Sequence, residues 1–340
     1  MTYCVRRGLM AALGLAVATA AGAAKPIVDV AEAGPDYAVQ GEYLGDYKTA
    51  GGQTTALGVQ VAALGDGKFA ASFLIGGLPG DGWDNHTKAT ANGATAGDKT
   101  TFDGHGWTAE IAGDTMTGKT DQGEAFSLKK TVRVSPTLGA KPPADALLLL
   151  GPDPNPNLDA WNFAQVAANG WFCTESPKHQ PEPITKKPFT DFTLHVEFML
   201  PFEPHERSQA RSNSGVYLQD RYEIQVLDSF GFKVGPGKPD GELCGDIYSK
   251  HGAATNAVHP PLTWNTYDVE FTAPRYENGK KVKNAVATVR LNGVLIQDHT
   301  EISGCTGGNG HQEKDEPSPL KLQYHHSPVF FRNIWIVEAK

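Results

Sequence analysis

The stretch Arg211-Ser-Asn-Ser-Gly-Val-Tyr-Leu-Gln-Asp-Arg-Tyr-Glu-Ile-Gln-Val-Leu-Asp228 contains two short strands, Gly215 to Gln219 and Glu223 to Leu227. A three-residue turn over Asp220 to Tyr222 makes both faces of the pair consistent. The opposed pairs would be Leu218 with Ile224, Val216 with Val226, Gln219 with Glu223 and Tyr217 with Gln225. One face is then wholly apolar and faces a core, so the stretch predicts a half-buried antiparallel hairpin.

The other face of this hairpin is polar, and its residue types are those that bind sugars. Sugar hydroxyls need donors and acceptors in fixed positions, and sugar rings stack on aromatic side chains. An ordinary solvent-exposed face is the alternative interpretation, although such a face favours Lys, Thr and Ser over repeated Gln and Tyr. The members of this face are Asn213, Tyr217, Gln219, Glu223 and Gln225.

Further alternating strands surround the hairpin and define the fold class. Residues from Phe192 to Leu200 alternate between apolar and polar, and Tyr267 to Phe271 repeats the pattern. The run from Val329 to Val337 is apolar almost throughout, and Leu147 to Leu150 could form a first strand. Because many short strands occur with almost no helical period, we expect an all-β protein whose C-terminal part is a β-sandwich.

Two local features of this region give more specific predictions. Asn292-Gly293 is typical of a two-residue type I′ turn between two strands. Such a turn would give the pairs Leu291 with Val294 and Val289 with Ile296. The segment from Trp161 to Ala168 is expected to form a short helix.

The first part of the chain differs in composition from the predicted sandwich. Residues 34–135 are rich in Gly, Ala, Thr and Asp, and turns such as Gly65-Asp66-Gly67 separate their short apolar alternations. They predict a small antiparallel β domain, to which no role is assigned. Residues 136–157 contain six prolines and are expected to form a junction that overlaps the start of the sandwich at residues 144–338.

The composition narrows the classes of partner. The chain has 340 residues, with 30 Lys and Arg against 38 Asp and Glu, and its formal charge is −8. Because it is mildly acidic and has no basic run, we expect neither nucleic acid nor an anionic membrane surface as a partner. Neutral or cationic small molecules, including sugars, remain compatible with this charge.

The first residues predict a secretory signal peptide. Arg6 and Arg7 precede an apolar run from Leu9 to Ala20, and Ala21-Gly22-Ala23 has the small-x-small form that signal peptidase cleaves. The run is shorter than the roughly 20 residues that a membrane-spanning helix needs. We therefore expect residues 1–23 to be removed and the protein to be exported to the periplasm or outside the cell.

Three cysteines follow the predicted signal peptide: Cys173, Cys244 and Cys305. An odd number in an exported chain leaves at least one thiol outside any internal disulfide, and the sequence leaves the pairing open. None has the CxxC spacing of a zinc or redox motif. The HExxH, GxSxG, Walker A and GxGxxG motifs are also missing from the sequence.

Two further polar clusters are candidates for the site. Leu320 to Leu322 alternates toward the core, so Gln323 and His325 are expected to point away from it. A histidine there suits proton transfer near neutral pH, or equally a surface or structural role. Tyr248 and Lys250 form the other cluster.

These stretches together resemble the 3-keto-disaccharide hydrolase family, also described as 3-keto-glucoside 1,2-lyase and 3-keto-2-hydroxyglucal hydratase. The hairpin motifs Asn213 to Gln219 and Tyr222 to Asp228 carry the resemblance most directly. The other motifs are Leu148-Leu-Leu-Gly151, Leu158-Asp-Ala-Trp161, Gly245-Asp-Ile-Tyr248, Trp264-Asn-Thr-Tyr267, Asn292-Gly293, Leu322-Gln-Tyr-His325 and Phe331-Arg-Asn-Ile334. They occur in the expected order between residues 144 and 338.

The resemblance implies a concanavalin-like jelly-roll sandwich with its site on the concave face. The sequence departs from the family in the Gly- and Pro-rich loop between Asp228 and Gly245. It departs again at Tyr324, where the family often has Asp. Residues 1–135 lie outside the match, and part of them resembles the extra N-terminal β region that some exported bacterial members carry.

The resemblance also implies a substrate, a glycoside that is already oxidised to a ketone at C3. A base can remove the acidified C2 proton, the C1 aglycone can leave, and water can add to the resulting enone. We assign the base to Glu223 or His325 and the stabiliser of the enolate oxygen to Arg211 or Lys250. The residues expected to bind substrate are Asn213, Tyr217, Gln219, Gln225, Asp228, Tyr248 and Gln323.

No cofactor is assigned with certainty, although a divalent metal ion could replace or assist the cation by polarising the ketone. Two other functions remain open. A non-catalytic carbohydrate-binding module on the same sandwich needs aromatics and amides but no base. An endoglucanase-like hydrolase needs two carboxylates that flank one cleft. A base and a counter-charge close together on the polar face would favour the eliminating enzyme.

Overall fold

The computed structural model describes residues 25–49, 51–175, 181–307 and 312–339. The predicted signal peptide at residues 1–23 lies outside these ranges. Within them the chain is all-β with antiparallel pairing, as the alternation predicted. The helical segments are Val30–Glu32, Gly34–Val39 and Ser208–Ala210. In the described part of the chain, no helix has the length and apolar character that crossing a membrane requires.

Eight N-terminal strands form a closed barrel. They are β1 Gly41–Lys48, β2 Thr54–Gly65, β3 Lys68–Ile75, β4 Lys88–Ala96, β5 Lys99–Gly104, β6 Trp107–Ala112, β7 Thr115–Thr120 and β8 Ala125–Thr131. Each strand pairs with the next along the chain, and β1 also pairs with β8, so every strand edge in the barrel is used. Aromatic side chains fill the interior, where Phe73 stacks on Trp107 with ring centroids 4.9 Å apart.

The remaining strands form two large sheets and one separate hairpin. They are β9 Leu147–Leu150, β10 Trp161–Asn162, β11 Gln165–Val166, β12 Phe172–Cys173, β13 Ile184–Phe189, β14 Phe192–Met199, β15 Asn213–Leu218, β16 Tyr222–Leu227, β17 Trp264–Thr272, β18 Arg275–Glu277, β19 Lys280–Lys283, β20 Ala285–Leu291, β21 Val294–Ile302, β22 Ser318–Leu322 and β23 Phe330–Glu338. The five-stranded sheet has the order β10-β13-β22-β15-β16. The eight-stranded sheet has the order β11-β12-β23-β14-β17-β20-β21, with β9 paired to β23.

The two sheets share one apolar core, which is consistent with a β-sandwich. Val216, Ile224 and Leu320 come from the five-stranded sheet, and Val196 and Val289 come from the eight-stranded sheet. All are buried, because alternate residues of each strand point to the same face. The polar residues between them on β15, β16 and β22 therefore lie on the outer face of the five-stranded sheet.

The Pro-rich junction begins as a docked segment rather than a free linker. The Ser135 hydroxyl lies 2.6 Å from the Thr266 hydroxyl, and the Thr137 hydroxyl donates to Asp268 at 2.6 Å. The Gly139 amide donates to Glu197 at 2.6 Å. This segment covers the outer face of the eight-stranded sheet, which explains why Glu197 is buried there although it alternates with core residues.

The expectation of a short helix was wrong. The segment expected to be a helix, Trp161 to Ala168, instead contains β10 and β11. The Trp161 indole N–H donates to the Leu149 carbonyl, and Trp161 pairs with Thr185, so tertiary contacts set its extended backbone.

The central hairpin has a different register from the predicted one. Tyr217 pairs with Glu223, and Leu218 pairs with Tyr222, so the turn is Gln219 to Arg221. Gln219 and Asp220 both have positive φ, as a type I′ turn requires. The expected pairing treated Tyr222 as a loop residue. The two faces keep their membership, because the predicted and observed registers place residues of the same parity opposite each other.

The Asn292-Gly293 turn is confirmed in part. Both residues have positive φ, and Leu291 pairs with Val294 as predicted. Val289 pairs with Gln297 rather than Ile296, because an irregularity shifts the register between β20 and β21.

The three cysteines of the described ranges are free thiols. Cys173 and Cys244 are buried, and burial raises the pKa of each to about 12. No disulfide therefore contributes to this part of the structure.

Candidate functional site

The candidate site is the outer face of three adjacent strands, with β15 between β22 and β16. Tyr217 of β15 pairs with Lys321 on one side and with Glu223 on the other. Two residues further along, Gly215 pairs with Gln225, and the Gly215 carbonyl accepts a hydrogen bond from the backbone N–H of Gln323. The face therefore consists of two rows of three residues, with Gly215 at the centre of the second row. We call these six residues the site face.

Gly215 is needed because two larger side chains lean over it. A Cβ atom at Gly215 would lie 2.7 Å from Glu223 Oε1 and 2.8 Å from Tyr217 Cε2. Contacts this short are sterically forbidden, so any larger residue would displace the carboxyl group. Gly215 was not among the residues selected from the sequence, although it lies between Asn213 and Tyr217, two polar residues of the same parity.

Glu223 is a buried carboxyl group with few partners. The Tyr217 hydroxyl donates to Glu223 Oε2 at 2.7 Å. Burial raises the pKa of Glu223 to about 7, against the lowering effects of the Tyr217 hydrogen bond and the nearby Lys321 ammonium. Burial also raises the pKa of Tyr217, so its phenol stays protonated as a donor. A carboxyl group with a pKa near neutrality is suited to take up and release a proton.

Two amide side chains flank the carboxyl group with their oxygens free. Gln225 Nε2 donates to the Gly241 carbonyl at 2.9 Å, and Gln323 Nε2 donates to the Tyr217 hydroxyl at 3.0 Å. These bonds fix each amide so that its oxygen is the unused acceptor. Within the described residues, neither Gln225 Oε1 nor Gln323 Oε1 has a hydrogen-bond partner. Buried acceptors of this kind are suited to receive hydroxyl donors.

Lys321 is the cation of the site face. It was not among the residues selected from the sequence. Its ammonium lies 4.1 Å from the centroid of the Tyr217 ring and 3.1 Å from both Glu182 and Asp220. The signal was present in the sequence: Lys321 has the same parity as Gln323, so it also points away from the core.

His325 lies beyond the end of β22, away from Glu223. It lines a cavity of about 450 Å³ together with Glu203, Glu206 and Gln209. Its Nδ1 atom has no partner among the described residues. No hydrogen bond or ion pair joins His325 to Glu223 in the described part of the chain. The structure therefore places Glu223 on β16 and His325 in the loop after β22 and does not bring the two candidate bases into contact.

Asn213 and Gln209 connect these two parts of the site. The Asn213 amide donates to Gln209 Oε1 at 2.9 Å and to the Gln209 carbonyl at 2.8 Å. The Gln209 amide in turn donates to the Gly241 carbonyl at 2.7 Å. Gln209 was not selected from the sequence, because it lies in a loop whose contacts depend on the folded chain.

Other residues selected from the sequence have structural contacts instead. Arg211 is buried, with its Nε 2.6 Å from the Asp228 carboxylate and its guanidinium 4.6 Å from the centroid of the Phe232 ring. Gln219 lies in the turn and donates to the Phe189 carbonyl at 2.9 Å. These contacts direct Arg211, Asp228 and Gln219 away from the site face.

The remaining two candidates lie at the margin of the site. Tyr248 is half-buried, its amide donates to the Glu223 carbonyl at 3.2 Å, and its ring lies against Gly241. Gly241 has positive φ, and a Cβ atom there would lie 2.2 Å from the Tyr248 ring. Lys250 lies near Gly304, with its ammonium 3.8 Å from the position of a Gly304 Cβ. The structure thus places Tyr248 beside the site face and Lys250 further out.

A second buried carboxyl group lies on the opposite side of the sandwich. Glu197 accepts hydrogen bonds from Arg332 at 2.7 Å, Asn333 at 2.9 Å and the Gly139 amide, and His195 Nε2 lies 3.5 Å away. Burial alone would raise its pKa, but these donors together lower it to about 2. Glu197 is therefore a permanent anion held by its neighbours.

The described residues offer few ligands for a metal ion. In the described ranges, no three His, Cys, Asp or Glu side chains converge on a point where a metal ion could be held. The site face itself offers one carboxyl group, Glu223, and two amide oxygens. Carboxylate and amide oxygens are ligand types that Mg²⁺, Ca²⁺ and Mn²⁺ accept, but these three groups alone leave most coordination positions of such an ion to water or substrate.

Comparison with known proteins identifies the family of the sandwich. Residues 151–337 match the family model described as the 3-keto-alpha-glucoside-1,2-lyase-like domain. This range contains the whole site face and the strands of both large sheets except β9 and the last residue of β23, and it excludes the N-terminal barrel. The comparison with curated proteins found no match.

Three similar crystal structures come from Parabacteroides distasonis ATCC 8503, and each is provisionally described as a glycosyl hydrolase. One is 35% identical with a TM-score of 0.50, and the alignment covers 58% of this chain and 85% of that chain. The other two are 20% and 23% identical, with TM-scores of 0.39 and 0.38. Their alignments cover 58% and 57% of this chain and 94% and 99% of those chains.

Proposed function

The chain belongs to the 3-keto-alpha-glucoside-1,2-lyase-like domain family, and from that membership we propose that it is a carbohydrate-active enzyme that cleaves 3-keto-glycosides. The observation that carries the proposal is the carboxyl group of Glu223, which has a pKa of about 7 and lies beside two unpaired amide acceptors. We propose further that the sandwich is of the concanavalin-like jelly-roll type and that the protein is exported after removal of residues 1–23.

The reaction starts with removal of the proton at C2 of the substrate. The ketone at C3 acidifies this proton, and the electron pair of the C2–H bond becomes an enolate. The enolate then expels the aglycone from C1, with a proton delivered to the leaving oxygen, and an enone remains. Water adds across the C1–C2 double bond, its oxygen to C1 and a proton to C2, so the net result is hydrolysis.

Glu223 is assigned as the base for the C2 proton. A general base works best when its pKa lies near the working pH, and the pKa of Glu223 is about 7. The Tyr217 hydroxyl holds one carboxylate oxygen, Oε2, and thereby leaves Oε1 above Gly215 for the substrate. After taking the proton, the same carboxyl group can return it to C2 when water adds.

Lys321 is assigned to the negative charge that develops on the enolate oxygen. It is the cation of the site face and lies against the Tyr217 ring. Lys321 also pairs with Glu182 and Asp220, but it lies on the site face. Arg211 lies outside that face, where Asp228 and backbone carbonyls bind its guanidinium. A preorganised cation in a site shielded from water stabilises a developing oxyanion strongly.

Gln225 and Gln323 are assigned to the substrate hydroxyls, since each presents an oxygen acceptor with its nitrogen already bound. His325 is assigned to the aglycone side, where the cavity beside Gln209 leaves room for the leaving group. No step is assigned to a metal ion, because among the described residues no three His, Cys, Asp or Glu side chains converge to hold one.

The two alternative functions need different residues on the same face. A retaining hydrolase of the endoglucanase type needs a second carboxyl group about 5 Å from the first. Glu223 is the single carboxyl group among the six residues of the site face, and the neighbouring carboxylates of Glu182 and Asp220 are both paired with Lys321, which favours elimination. A carbohydrate-binding module would use the amides and Tyr217 but would not need a buried carboxyl group with a raised pKa.

Turnover of matched substrate pairs tests the proposal. The full chain is incubated with a native glycoside and with the same glycoside oxidised at C3, each with and without chelator. Release of aglycone from the keto form alone, with or without chelator, is the expected result. Cleavage of the native form would support an ordinary glycosidase, and tight binding of the sugars with no cleavage of either form would support a binding module.

A further inference from the structure

The N-terminal barrel contacts two loops of the sandwich, and both loops contact the side-chain amide of Gln225. We infer that the barrel is a positioning element for the site and that it fixes the orientation of Gln225 through these loops. The inference rests on the proposed function only in assigning Gln225 to substrate binding. The first loop is residues 203–212, and the second loop is residues 229–246.

The first loop is held by backbone carbonyls of β2. Arg211 Nη1 donates to the Ala63 carbonyl at 3.1 Å, and Arg207 Nη2 donates to the Leu64 carbonyl at 2.9 Å. The next barrel residue, Gly65, has positive φ and lies against the His205 ring, where a Cβ atom would come within 2.4 Å. The end of β2 is therefore shaped to receive this loop.

The second loop is held by side chains of β3 and β4. The Ser72 hydroxyl donates to the Gly231 carbonyl at 3.3 Å, and the Lys88 ammonium donates to the Val234 carbonyl at 2.6 Å. Val234 also packs with Trp83 and its neighbours in a small buried cluster. This loop is the Gly- and Pro-rich segment that departs from the family, and the barrel supplies contacts that order it.

The outer surface of β2 explains why the barrel lies where it does. Gln60 and Ala62 point outward from the barrel, yet they are 1% and 0% exposed. A Cβ atom at Gly231 would lie 3.1 Å from the Ala62 Cβ atom, so the second loop lies directly on this strand. The barrel and the second loop therefore form a closely packed interface.

The two loops meet at the edge of the site. The Ser208 hydroxyl donates to Glu242 at 2.6 Å, and the Gln209 amide donates to the Gly241 carbonyl. The same Gly241 carbonyl accepts the Gln225 amide, and Gln209 Oε1 lies 3.4 Å from Gln225 Nε2. Both partners of the Gln225 nitrogen thus belong to loops that the barrel holds.

This arrangement determines which end of the amide faces the substrate. As long as Gln209 and Gly241 keep their positions, the Gln225 nitrogen is occupied and its oxygen is the acceptor. Loops that were ordered only on substrate binding would use part of the binding free energy for that ordering. Loosening the barrel contacts should therefore weaken substrate binding more than it slows the chemical step.

The experiment uses the full chain with one interface variant for each loop. Arg207→Met removes the hydrogen bond to Leu64, and the double variant Ser72→Ala/Lys88→Met removes the two hydrogen bonds to the second loop. Lys99→Ala, in an exposed ion pair with Glu110 elsewhere on the barrel, is the matched control. Hydrogen exchange of residues 203–212 and 229–246 is measured together with KM and kcat on a 3-keto-glycoside.

The interface variants are expected to speed exchange in both loops and to raise KM about tenfold, with kcat changed much less and the control unaffected. In a Gln225→Ala background the same variants should leave KM unchanged. Unaltered exchange in the loops would overturn the inference, as would a KM effect that persists in full without Gln225. If the wild-type chain turns over no 3-keto-glycoside, the proposed function fails, while the exchange data still decide whether the barrel orders the loops.

Discussion

Two buried carboxyl groups lie on opposite faces of the sandwich, and they differ in the number of donors around them. Glu197, on the outer face of the eight-stranded sheet, receives hydrogen bonds from Arg332, Asn333 and Gly139, and its pKa falls to about 2. Glu223, on the outer face of the five-stranded sheet, receives one side-chain hydrogen bond, from Tyr217, and its pKa rises to about 7. At Glu197 the donors, which include the Arg332 guanidinium, outweigh the effect of burial, whereas at Glu223 burial outweighs the single side-chain donor.

This difference distinguishes a structural carboxyl group from a reactive one. An anion with a full set of donors is stabilised as an anion and has no tendency to accept a proton. A carboxyl group that is buried with too few donors is destabilised as an anion and accepts a proton near neutral pH. The environment of Glu223 is therefore the one expected of a general base.

The largest expected effect is the loss of activity on removing the reactive carboxyl group. Glu223→Gln keeps the shape of the side chain but cannot accept the C2 proton, so kcat on a 3-keto-glycoside should fall by roughly 10²- to 10⁴-fold. The free energy of unfolding should stay equal or rise slightly, because a poorly solvated carboxyl group is replaced. Steady-state kinetics and urea denaturation of the same preparation measure both effects, and unchanged kcat would remove Glu223 from the mechanism.

The matching substitution on the other face should lower stability and leave activity unchanged. Glu197→Gln leaves Arg332 and His195 without their shared anion, so the free energy of unfolding should fall by roughly 3 kcal/mol. The activity of the folded fraction should remain close to that of the wild type. Should Glu197→Gln prove as stable as the wild type, the donor-based distinction between the two groups would be wrong.

A smaller effect is expected when the space beside the reactive group is filled. Gly215→Ala places a Cβ atom where Glu223 Oε1 and the Tyr217 ring now lie. Displacing these groups should destabilise the fold by about 1–3 kcal/mol and lower kcat/KM as well. Gly307→Ala is the control, since its Cβ atom would have its nearest contact at 3.3 Å, on the Tyr248 ring. Equal kinetics for both variants would contradict the proposed crowding above Gly215.

The smallest expected effect is a difference in how stability depends on pH. The pKa of Glu197 lies below its ordinary value of 4.5, so its stabilising contribution is present above that value and is lost as the pH falls toward about 2. The pKa of Glu223 lies above the same value, so its contribution is present below pH 4.5 and is lost as the pH rises through about 7.

Difference curves between the wild type and each Gln variant isolate these contributions. Neither slope should exceed about 1.4 kcal/mol per pH unit. Urea denaturation at a series of pH values measures them, and the two variants should give curves of opposite sign in separate pH ranges. If both variants shifted stability in the same direction over the same range, the contrast between the two groups would not hold.

The faces of the central hairpin could be predicted from the sequence, although its register could not. Alternation in Arg211 to Asp228 assigns each residue to a face, and any register of the same parity gives the same faces. The register depends on Tyr222, whose ring lies 5.6 Å from that of Phe271 and whose hydroxyl donates to Glu313. These partners lie far away in the sequence, so alternation alone could not include Tyr222 in the strand.

The roles of individual charged residues were harder to predict for the same reason. Arg211 lies just before the hairpin motif, but its partners are Asp228 and the carbonyl of Ala63 in the barrel. The closure of the barrel depends on pairing between β1 and β8, which no short strand pattern reveals. Glu197 and Glu223 both alternate with apolar residues, and only the donors from distant segments make one of them inert.

The most direct test of the account is the pH dependence of kcat/KM for a 3-keto-glycoside carrying deuterium at C2, compared with the same substrate carrying hydrogen. If Glu223 removes the C2 proton, the deuterated substrate should react more slowly, and kcat/KM should rise with pH through about 7, the pKa of Glu223. A profile that stays flat through that range, with equal rates for the two substrates, would contradict the assignment of Glu223 as the base.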